Sequence, residues 1–135
     1  MAGYSGTPLA KKLGFREGSR VKLSNPPTGY DRLVTPRPDD VVLSTNIRKQ
    51  IGIWHYFTRS ARELERELPR MRAAIDQNGM IWVSWPKKAS GVVTDVTEDV
   101  VRRLALPLGL VDVKVCAVDD TWSGLKLVIR KELRQ

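Results

Sequence analysis

Lysine, serine and glycine residues come close together in the segment Pro86-Lys87-Lys88-Ala89-Ser90-Gly91. Two ammonium groups, a hydroxyl and a flexible glycine backbone can together hold a phosphate or a carboxylate group. The segment is not a Walker loop, because its spacing differs and the helix-opening pair of lysine and serine or threonine is missing. The sequence therefore predicts either a small anion site or a plain surface turn here.

A second segment with suitable side chains, residues 119–123, comes near the end of the chain and reads Asp-Asp-Thr-Trp-Ser. If the last strand runs antiparallel beside a strand at 80–85, its beginning lies next to the end of that strand. Two tryptophans would then supply apolar walls, and lysines and aspartates would supply charge. The alternative is that both tryptophans cap the core. The candidate ligand-binding residues are Ser84, Trp85, Lys87, Lys88, Ser90, Asp119, Thr121, Trp122 and Ser123.

Nucleophilic and metal chemistry have few candidates in this sequence. His55 is its only histidine and Cys116 its only cysteine, so a disulfide within the chain is excluded and a cysteine-rich metal site is not expected. His55 falls in an apolar segment and is expected to be a packed histidine, not a general base. Cys116 is expected to be a small core residue. We therefore predict no catalytic residue and no metal site.

The charge of the chain favours an anionic partner, because the formal net charge is +8 and the isoelectric point is about 10.0. The basic residues are spread along the chain, and a solvated cationic surface is the alternative. Glu63 and Glu67 precede Arg66 and Arg70 by three residues, which predicts local ion pairs on one helix face. Any nucleic-acid binding should then be weak, non-specific and lost with salt.

The length of 135 residues and the apolar content of 41% fit one α/β domain over 1–135, with an N-terminal arm at 1–19 that carries a short helix. No apolar segment approaches the roughly 20 residues of a membrane span. The start of the chain lacks the basic and apolar pattern of a secretory signal. We therefore expect a cytoplasmic protein without membrane contact.

The elements that position the candidate residues follow from the apolar pattern. Ile51–Phe57 and 80–85 are nearly continuous in apolar residues, which is typical of strands covered on both faces. Between them, Ser60 and Glu63 form a capping-box pattern, and an apolar stripe follows it. The predicted elements in chain order are a helical turn from Thr7 to Gly14, strands at 20–25 and 41–43 around a short helix at 28–34, the strand at 51–57, the helix from Ser60, the strand at 80–85, a helix capped by Asp95 or Thr97 and ended by Gly109, and strands at 111–118 and 125–130.

The last two strands are joined by a tight link and should pair as an antiparallel hairpin. Strand, amphipathic helix and strand form a parallel crossover unit. The expected fold class is therefore α/β, with a three-layer, mostly parallel open sheet of about six strands that ends in an antiparallel hairpin.

This order of elements resembles the class I methyltransferase fold, as do the segments Leu13–Val21 and Ile75–Val83. Cofactor binding in that fold uses a glycine-rich turn after the first strand and an acid after the second. Here the two positions read Ser24-Asn25-Pro26-Pro27 and Ser44-Thr45-Asn46, so no cofactor is expected. The Asn-Pro-Pro sequence lacks the following aromatic of amino-group methyltransferases, and a strand-ending turn explains it better.

Three longer motifs resemble an uncharacterised, mainly actinobacterial family of small proteins. They are Tyr4–Gly14, Trp82–Lys88 and Asp120–Lys126. The resemblance implies kinship without an activity.

The first functional hypothesis is a non-enzymatic or degenerate-enzyme domain that binds an anionic small molecule or a protein partner. The alternatives are a basic nucleic-acid-associated protein and a methyltransferase-like enzyme with an atypical cofactor site.

Overall fold

The computed structural model describes residues 6–135, in which six strands form one sheet with helices on both faces. The helices are α1 (Leu9–Lys12), α2 (Tyr30–Leu33), α3 (Ala61–Ala74) and α4 (Glu98–Ala105), and the strands are β1 (Arg20–Ser24), β2 (Val42–Ser44), β3 (Ile51–Phe57), β4 (Ile75–Pro86), β5 (Leu110–Ala117) and β6 (Trp122–Ile129). Single 3₁₀ turns follow at Lys88–Ser90, Leu106–Leu108 and Lys131–Leu133.

The sheet order is β2-β1-β3-β4-β6-β5. Strands β2, β1, β3 and β4 are parallel to one another, and β6 runs antiparallel between β4 and β5. The predicted fold class, a mostly parallel open sheet that ends in an antiparallel hairpin, is confirmed. This order places the carboxyl ends of β1, β3 and β4 at the same edge as the beginning of β6.

Each face of the sheet has its own apolar core. On one face, Leu64, Leu68 and Met71 of α3 and Val101 of α4 pack on the sheet. On the other face, α1, α2 and the segment that follows α1 cover Phe57 and Trp82. Because both faces are covered, β3 and residues 80–85 of β4 are nearly continuous in apolar residues, as the sequence predicted.

Helix α1 begins without the cap that the sequence predicted. Thr7 is exposed, Pro8 occupies the N-cap position, and no side chain accepts a hydrogen bond there. The helix has four residues, and Gly14 follows its end at φ +88°. Helix α2 is also shorter than the predicted 28–34, because it begins only after Gly29 at φ +86°.

Helix α3 begins at Ser60, as predicted, but only half of the capping box forms. Ser60 Oγ accepts the backbone N–H of Glu63 at 3.1 Å. The N–H of Ser60 donates instead to Thr58 Oγ1 at 3.1 Å, and the Glu63 carboxylate accepts the hydroxyl of Tyr56 at 2.5 Å. Pro69 lies inside α3, and the helix continues through it to Ala74.

Among residues 6–135, no helix is long and apolar enough to cross a membrane.

Helix α4 is capped by Thr97, whose Oγ1 accepts the N–H of Val100 at 3.2 Å. Asp95, the other predicted cap, instead accepts the first N–H of α3 from Ala61 at 2.7 Å. One aspartate therefore ties the loop before α4 to the beginning of α3 and offsets the partial positive charge there.

Strand β4 begins at Ile75, five residues before the predicted start. Ile51 pairs with Ile75 and Ile53 pairs with Met80, so four residues of β4 bulge out between them. Gly79 is required in this bulge, because a Cβ there would lie 3.0 Å from the carbonyl oxygens of Asp76 and Gly52. Sequence periodicity could not find this irregular start, since a bulge breaks the alternation of faces.

Candidate functional site

The two segments expected to form a ligand site, residues 84–88 and 119–123, lie side by side. In the β4–β6 register Ser84 pairs with Gly124 and Trp85 pairs with Ser123. Beyond the strand end, the N–H of Lys87 donates to the carbonyl oxygen of Thr121 at 2.8 Å. The predicted juxtaposition at the carboxyl end of β4 is therefore confirmed.

The two tryptophans of these segments do not share a face of the sheet. Trp85 is buried in the core beneath α3 and α4. Trp122 packs on the opposite face, where its ring meets Phe57 edge-on with centroids 5.1 Å apart. The expectation that both tryptophans wall one pocket is wrong. Trp85 pairs with Ser123, and Trp122 is the next residue along β6, so its side chain points to the opposite face.

Three further candidate residues use their polar atoms within the protein. Ser90 Oγ donates to the carbonyl oxygen of Lys87 at 2.6 Å and accepts the N–H of Val92 at 3.2 Å. Asp119 Oδ1 accepts the N–H groups of Thr121 and Trp122 at 2.8 and 2.7 Å, which holds the β5–β6 turn. Ser84 is fully buried. These three side chains therefore shape the edge of the sheet instead of facing a ligand.

Four of the predicted residues remain at the surface of this edge. Lys88 is exposed, and Lys87, Thr121 and Ser123 are half-buried. They combine two cations with two hydroxyls next to the end of a central strand, where open α/β sheets bind ligands.

A buried polar network that the sequence did not predict lies just beneath this edge. The Tyr30 hydroxyl lies 2.8 Å from His55 Nδ1, and His55 Nε2 lies 2.8 Å from Ser84 Oγ. The network connects α2, β3 and β4. Burial lowers the pKa of His55 from 6.5 to about 3, and burial also raises the pKa of the Tyr30 hydroxyl. The imidazole is therefore neutral at pH 7.

The network is enclosed by aromatic rings and by backbone. Phe57 stacks on the His55 ring with centroids 4.2 Å apart, and Trp122 covers Phe57 from the surface side. Gly124 leaves room for Ser84, since a Cβ at Gly124 would lie 3.2 Å from Ser84 Oγ. His55 and Ser84 both have an exposed fraction of 0%.

A serine hydroxyl at hydrogen-bond distance from a neutral imidazole is a geometry that nucleophilic catalysis uses. A catalytic serine must also reach its substrate, and Ser84 is fully buried here. The arrangement instead satisfies every buried polar atom of the three residues, and among residues 6–135 no buried side-chain nitrogen or oxygen lacks a partner. His55 is a packed histidine, as predicted. Its partners are far apart in sequence, so only a knowledge of strand order could have identified them.

The topological switch point lies between β1 and β3, because the chain goes from β1 to β2 on one side and then to β3 on the other. Ligands of open α/β sheets bind in the crevice at this point. Here Asn25, at φ +55°, directs its side-chain amide across the strand ends and donates to the carbonyl oxygen of Phe57 at 3.1 Å. Ser24 Oγ next to it accepts the indole N–H of Trp54 at 2.8 Å. The protein's own side chains thus bridge the crevice.

The residues at this crevice do not fit the cofactor site of the class I methyltransferase fold. The turn after β1 carries Pro26 and Pro27, which have no backbone N–H to offer to a ligand. After β2, Ser44 Oγ accepts the N–H of Asn46 at 3.0 Å, and no acid is present at 44–46 to hold ribose hydroxyls.

The arginine face of α3 carries part of the predicted ion pairing. Glu67 Oε2 lies 3.7 Å from a guanidinium nitrogen of Arg70 and 3.3 Å from Nε of Arg66. The predicted pair of Glu63 and Arg66 does not form, because Glu63 instead accepts the Tyr56 hydroxyl. Within residues 6–135, no group of three or more histidine, cysteine, aspartate or glutamate residues could hold a metal ion.

Several solved structures that share this fold are methyltransferases. The chain is similar to the ribosomal protein L11 methylase from Lactobacillus delbrueckii subsp. bulgaricus, with a TM-score of 0.55 and 8% identity over 90% of this chain and 74% of that one. A putative methyltransferase from Thermoplasma acidophilum gives a TM-score of 0.56 and 6% identity over 97% and 77%. The O-methyltransferase of neocarzinostatin biosynthesis, solved in complex with S-adenosylmethionine, gives 0.53 and 14% over 82% and 41%.

No protein-family model matches the chain, and no curated protein matches it either. The expected kinship with the mainly actinobacterial family therefore stays a prediction. Identities of 6–14% with the three solved structures show a shared fold and leave the chemistry open. The chain has the Rossmann-like α/β fold of the methyltransferases.

Proposed function

We propose that this methyltransferase-fold domain acts by binding an anionic small molecule and does not transfer methyl groups. The observation that carries the proposal is the hydrogen bond from Asn25 to Phe57, which occupies the crevice where the fold would place a cofactor. Without that crevice, the groups offered to a ligand at this end of the sheet are those at the end of β4.

The proposed ligand site consists of Lys87, Lys88, Thr121 and Ser123. Lys87 and Lys88 supply positive charge, and Thr121 and Ser123 supply hydroxyl groups. The hydrogen bond between the backbones of Lys87 and Thr121 fixes the two segments relative to each other, so a ligand does not have to order them. Two lysines act as separate point charges, so a small ligand with two separated carboxylates fits this site better than a single bidentate carboxylate, which favours arginine.

The fold itself favours a second candidate function, a methyltransferase with an atypical cofactor site. The neighbour solved with S-adenosylmethionine, at a TM-score of 0.53, supports this alternative. It requires that the bond between Asn25 and Phe57 opens and that groups other than an acid after β2 hold the ribose. A protein partner at the same edge and a nucleic-acid-associated role are the remaining alternatives.

Titration calorimetry with S-adenosylmethionine separates the first two functions. With ligand at about millimolar concentration, which detects binding as weak as about −4 kcal/mol, we expect no saturable heat. A micromolar dissociation constant would establish the cofactor site and refute the proposal.

The ligand site is tested by amide shift mapping with a panel of small dicarboxylates. We expect saturable shifts at residues 86–91 and 119–123. Shifts at 24–29 and 44–46 instead would place the ligand in the crevice, and the absence of any saturable shift with the panel would refute small-anion binding at this edge.

A further inference from the structure

Three cations meet on the sheet face that α1 covers, at a distance from the end of β4. Lys114 of β5 and Lys126 of β6 are direct partners in the antiparallel register. Arg16, in the segment after α1, lies close enough to influence the ionisation of Lys126. We call Arg16, Lys114 and Lys126 the basic cluster. Like charges directly opposite each other in a sheet destabilise it, so this pairing is not explained by stability.

No carboxylate compensates the basic cluster. Among residues 6–135, no acidic side chain lies within ion-pair distance of any of its three cations, since the ion pairs form at 31–37, on α3, around Arg102 and at 130–132. Residues 1–5 read Met-Ala-Gly-Tyr-Ser and contain no acid.

The cluster is held in place by the elements around it. Lys114 Nζ donates to the carbonyl oxygen of Lys12 at the end of α1, at 3.1 Å. The backbone N–H of Arg16 donates to Ser19 Oγ at 2.8 Å. Lys126 is half-buried and lies in register with the fully buried Trp82 on its other side. Burial, and then the charges of Lys114 and Arg16, lower the pKa of Lys126. Lys114 and Lys126 are thus neighbours in the ladder, Arg16 is near enough to act on Lys126, and no ion pair among residues 6–135 includes any of the three.

We propose that the basic cluster binds the phosphate groups of a small phosphorylated molecule. One guanidinium and two ammonium groups can match the several oxygens and the multiple charge of a phosphate. Among residues 6–135, the aromatic residue in register with Lys126 is Trp82, which is fully buried and offers no face for stacking to a nucleobase. A compact group of three cations suits a short phosphate chain better than the long stripe that tracks a nucleic-acid backbone. The site is about 13 Å along β6 from Trp122, and it does not depend on the proposed function.

The test uses the full chain with inorganic triphosphate as the probe, at about 0.15 M salt to screen exposed charges. The double variant Arg16→Gln/Lys114→Gln is compared with Lys49→Gln/Arg103→Gln, which removes the same charge from two exposed cations outside any ion pair of the described residues. We expect saturable binding to the wild type, with amide shifts centred on 12–17, 112–116 and 124–128. The cluster variant should bind at least about tenfold more weakly, and the control should change by less than about twofold.

A parallel titration with a single-stranded oligonucleotide separates the two sources of phosphate. If only the oligonucleotide binds, and the cluster variant alone weakens it, the ligand is a nucleic acid and the assignment to a small molecule is wrong. Equal weakening by both double variants, or binding of neither the triphosphate nor the oligonucleotide by the wild type, overturns the site itself. Chain folding is checked by the amide spectra, and Lys126→Met, which keeps most of the apolar stem, replaces the double variant if that variant unfolds.

Discussion

The imidazole Nε2 of His55 lies 2.8 Å from Ser84 Oγ, in a part of the sheet where both side chains are fully buried. Tyr30 completes the network from the other side of the imidazole. Buried polar groups are tolerated when all of them have hydrogen-bond partners. Removal of one member therefore leaves another polar group buried without a partner, which destabilises the folded protein.

Ser84→Ala should lower the free energy of unfolding by about 1–3 kcal/mol, because it leaves His55 Nε2 buried without a partner. Ser123→Ala, on the neighbouring strand, is the matched control and should change the free energy by less than about 0.5 kcal/mol, since Ser123 is half-buried and outside the network. Urea denaturation measures both. Equal effects of the two substitutions would show that the network contributes nothing.

Acid should destabilise the protein through His55, its only histidine. The folded pKa is about 3 and the ordinary value is 6.5, so between these values the unfolded chain binds a proton that the folded protein does not. The contribution of His55 is complete above pH 6.5, and it is lost as the pH falls toward 3. The folding equilibrium constant should approach a tenfold fall per pH unit in this range.

The measurement is the urea unfolding free energy between about pH 7.5 and 5, where most exposed carboxylates remain charged. His55→Gln cannot titrate and should show a smaller pH dependence, even if it is less stable at neutral pH. Identical pH dependence in the two proteins would mean that His55 is not held neutral by burial.

Gly124→Ala should destabilise the protein by about 1–3 kcal/mol through overpacking. Its Cβ would lie 3.2 Å from both Ser84 Oγ and Trp82 Cε3. Neither neighbour can withdraw easily, because Ser84 is bonded to His55 and the Trp82 indole donates to the carbonyl oxygen of Leu13 at 2.9 Å. Gly52→Ala is the control, with its nearest contact at 3.8 Å, and should be neutral or slightly stabilising. The difference in thermal midpoint between the two variants checks this prediction.

Substitutions at Asn25 should separate its backbone conformation from its hydrogen bond. Asn25→Gly keeps the left-handed conformation at φ +55° and loses only the bond to Phe57, at a cost of about 0.5–1.5 kcal/mol. Asn25→Ala should cost about 1 kcal/mol more, because a Cβ is unfavourable at this φ. Denaturant midpoints give both values. An alanine variant as stable as the glycine variant would argue against strain at this turn.

Lys87→Ala/Lys88→Ala should leave the fold intact, with a loss of less than about 1 kcal/mol for the two surface substitutions. The same variant should lose the anion-induced shifts at residues 86–91, because both cations of the proposed site are gone. Lys11→Ala/Lys49→Ala, which removes two exposed lysines elsewhere, should keep those shifts. Retention of the shifts in the first variant would exclude the two lysines as ligands of the anion.

The order of elements could be predicted from the sequence because it depends on local signals. Continuous apolar segments marked β3 and β4, Ser60 marked the start of α3, and the short link before Trp122 marked the hairpin. The irregular start of β4 and the short α1 and α2 could not be predicted, since bulges and helices of one turn carry little periodic signal.

The sequence by itself determined the fold class, because the crossover pattern predicts a mostly parallel sheet. The juxtaposition of 84–88 with 119–123 was implied by the resemblance to the methyltransferase fold. Only the tertiary structure decided what each side chain at that edge does. Trp85 and Trp122 lie on opposite faces because Trp122 is one residue away from Ser123, the partner of Trp85, and neighbouring residues of a strand point in opposite directions. Likewise, Lys114 and Lys126 became neighbours through a register that no local pattern specifies, and His55 found Tyr30 and Ser84 across distances of 25 and 29 residues. Contacts between residues so far apart depend on packing, and packing is a property of the folded chain.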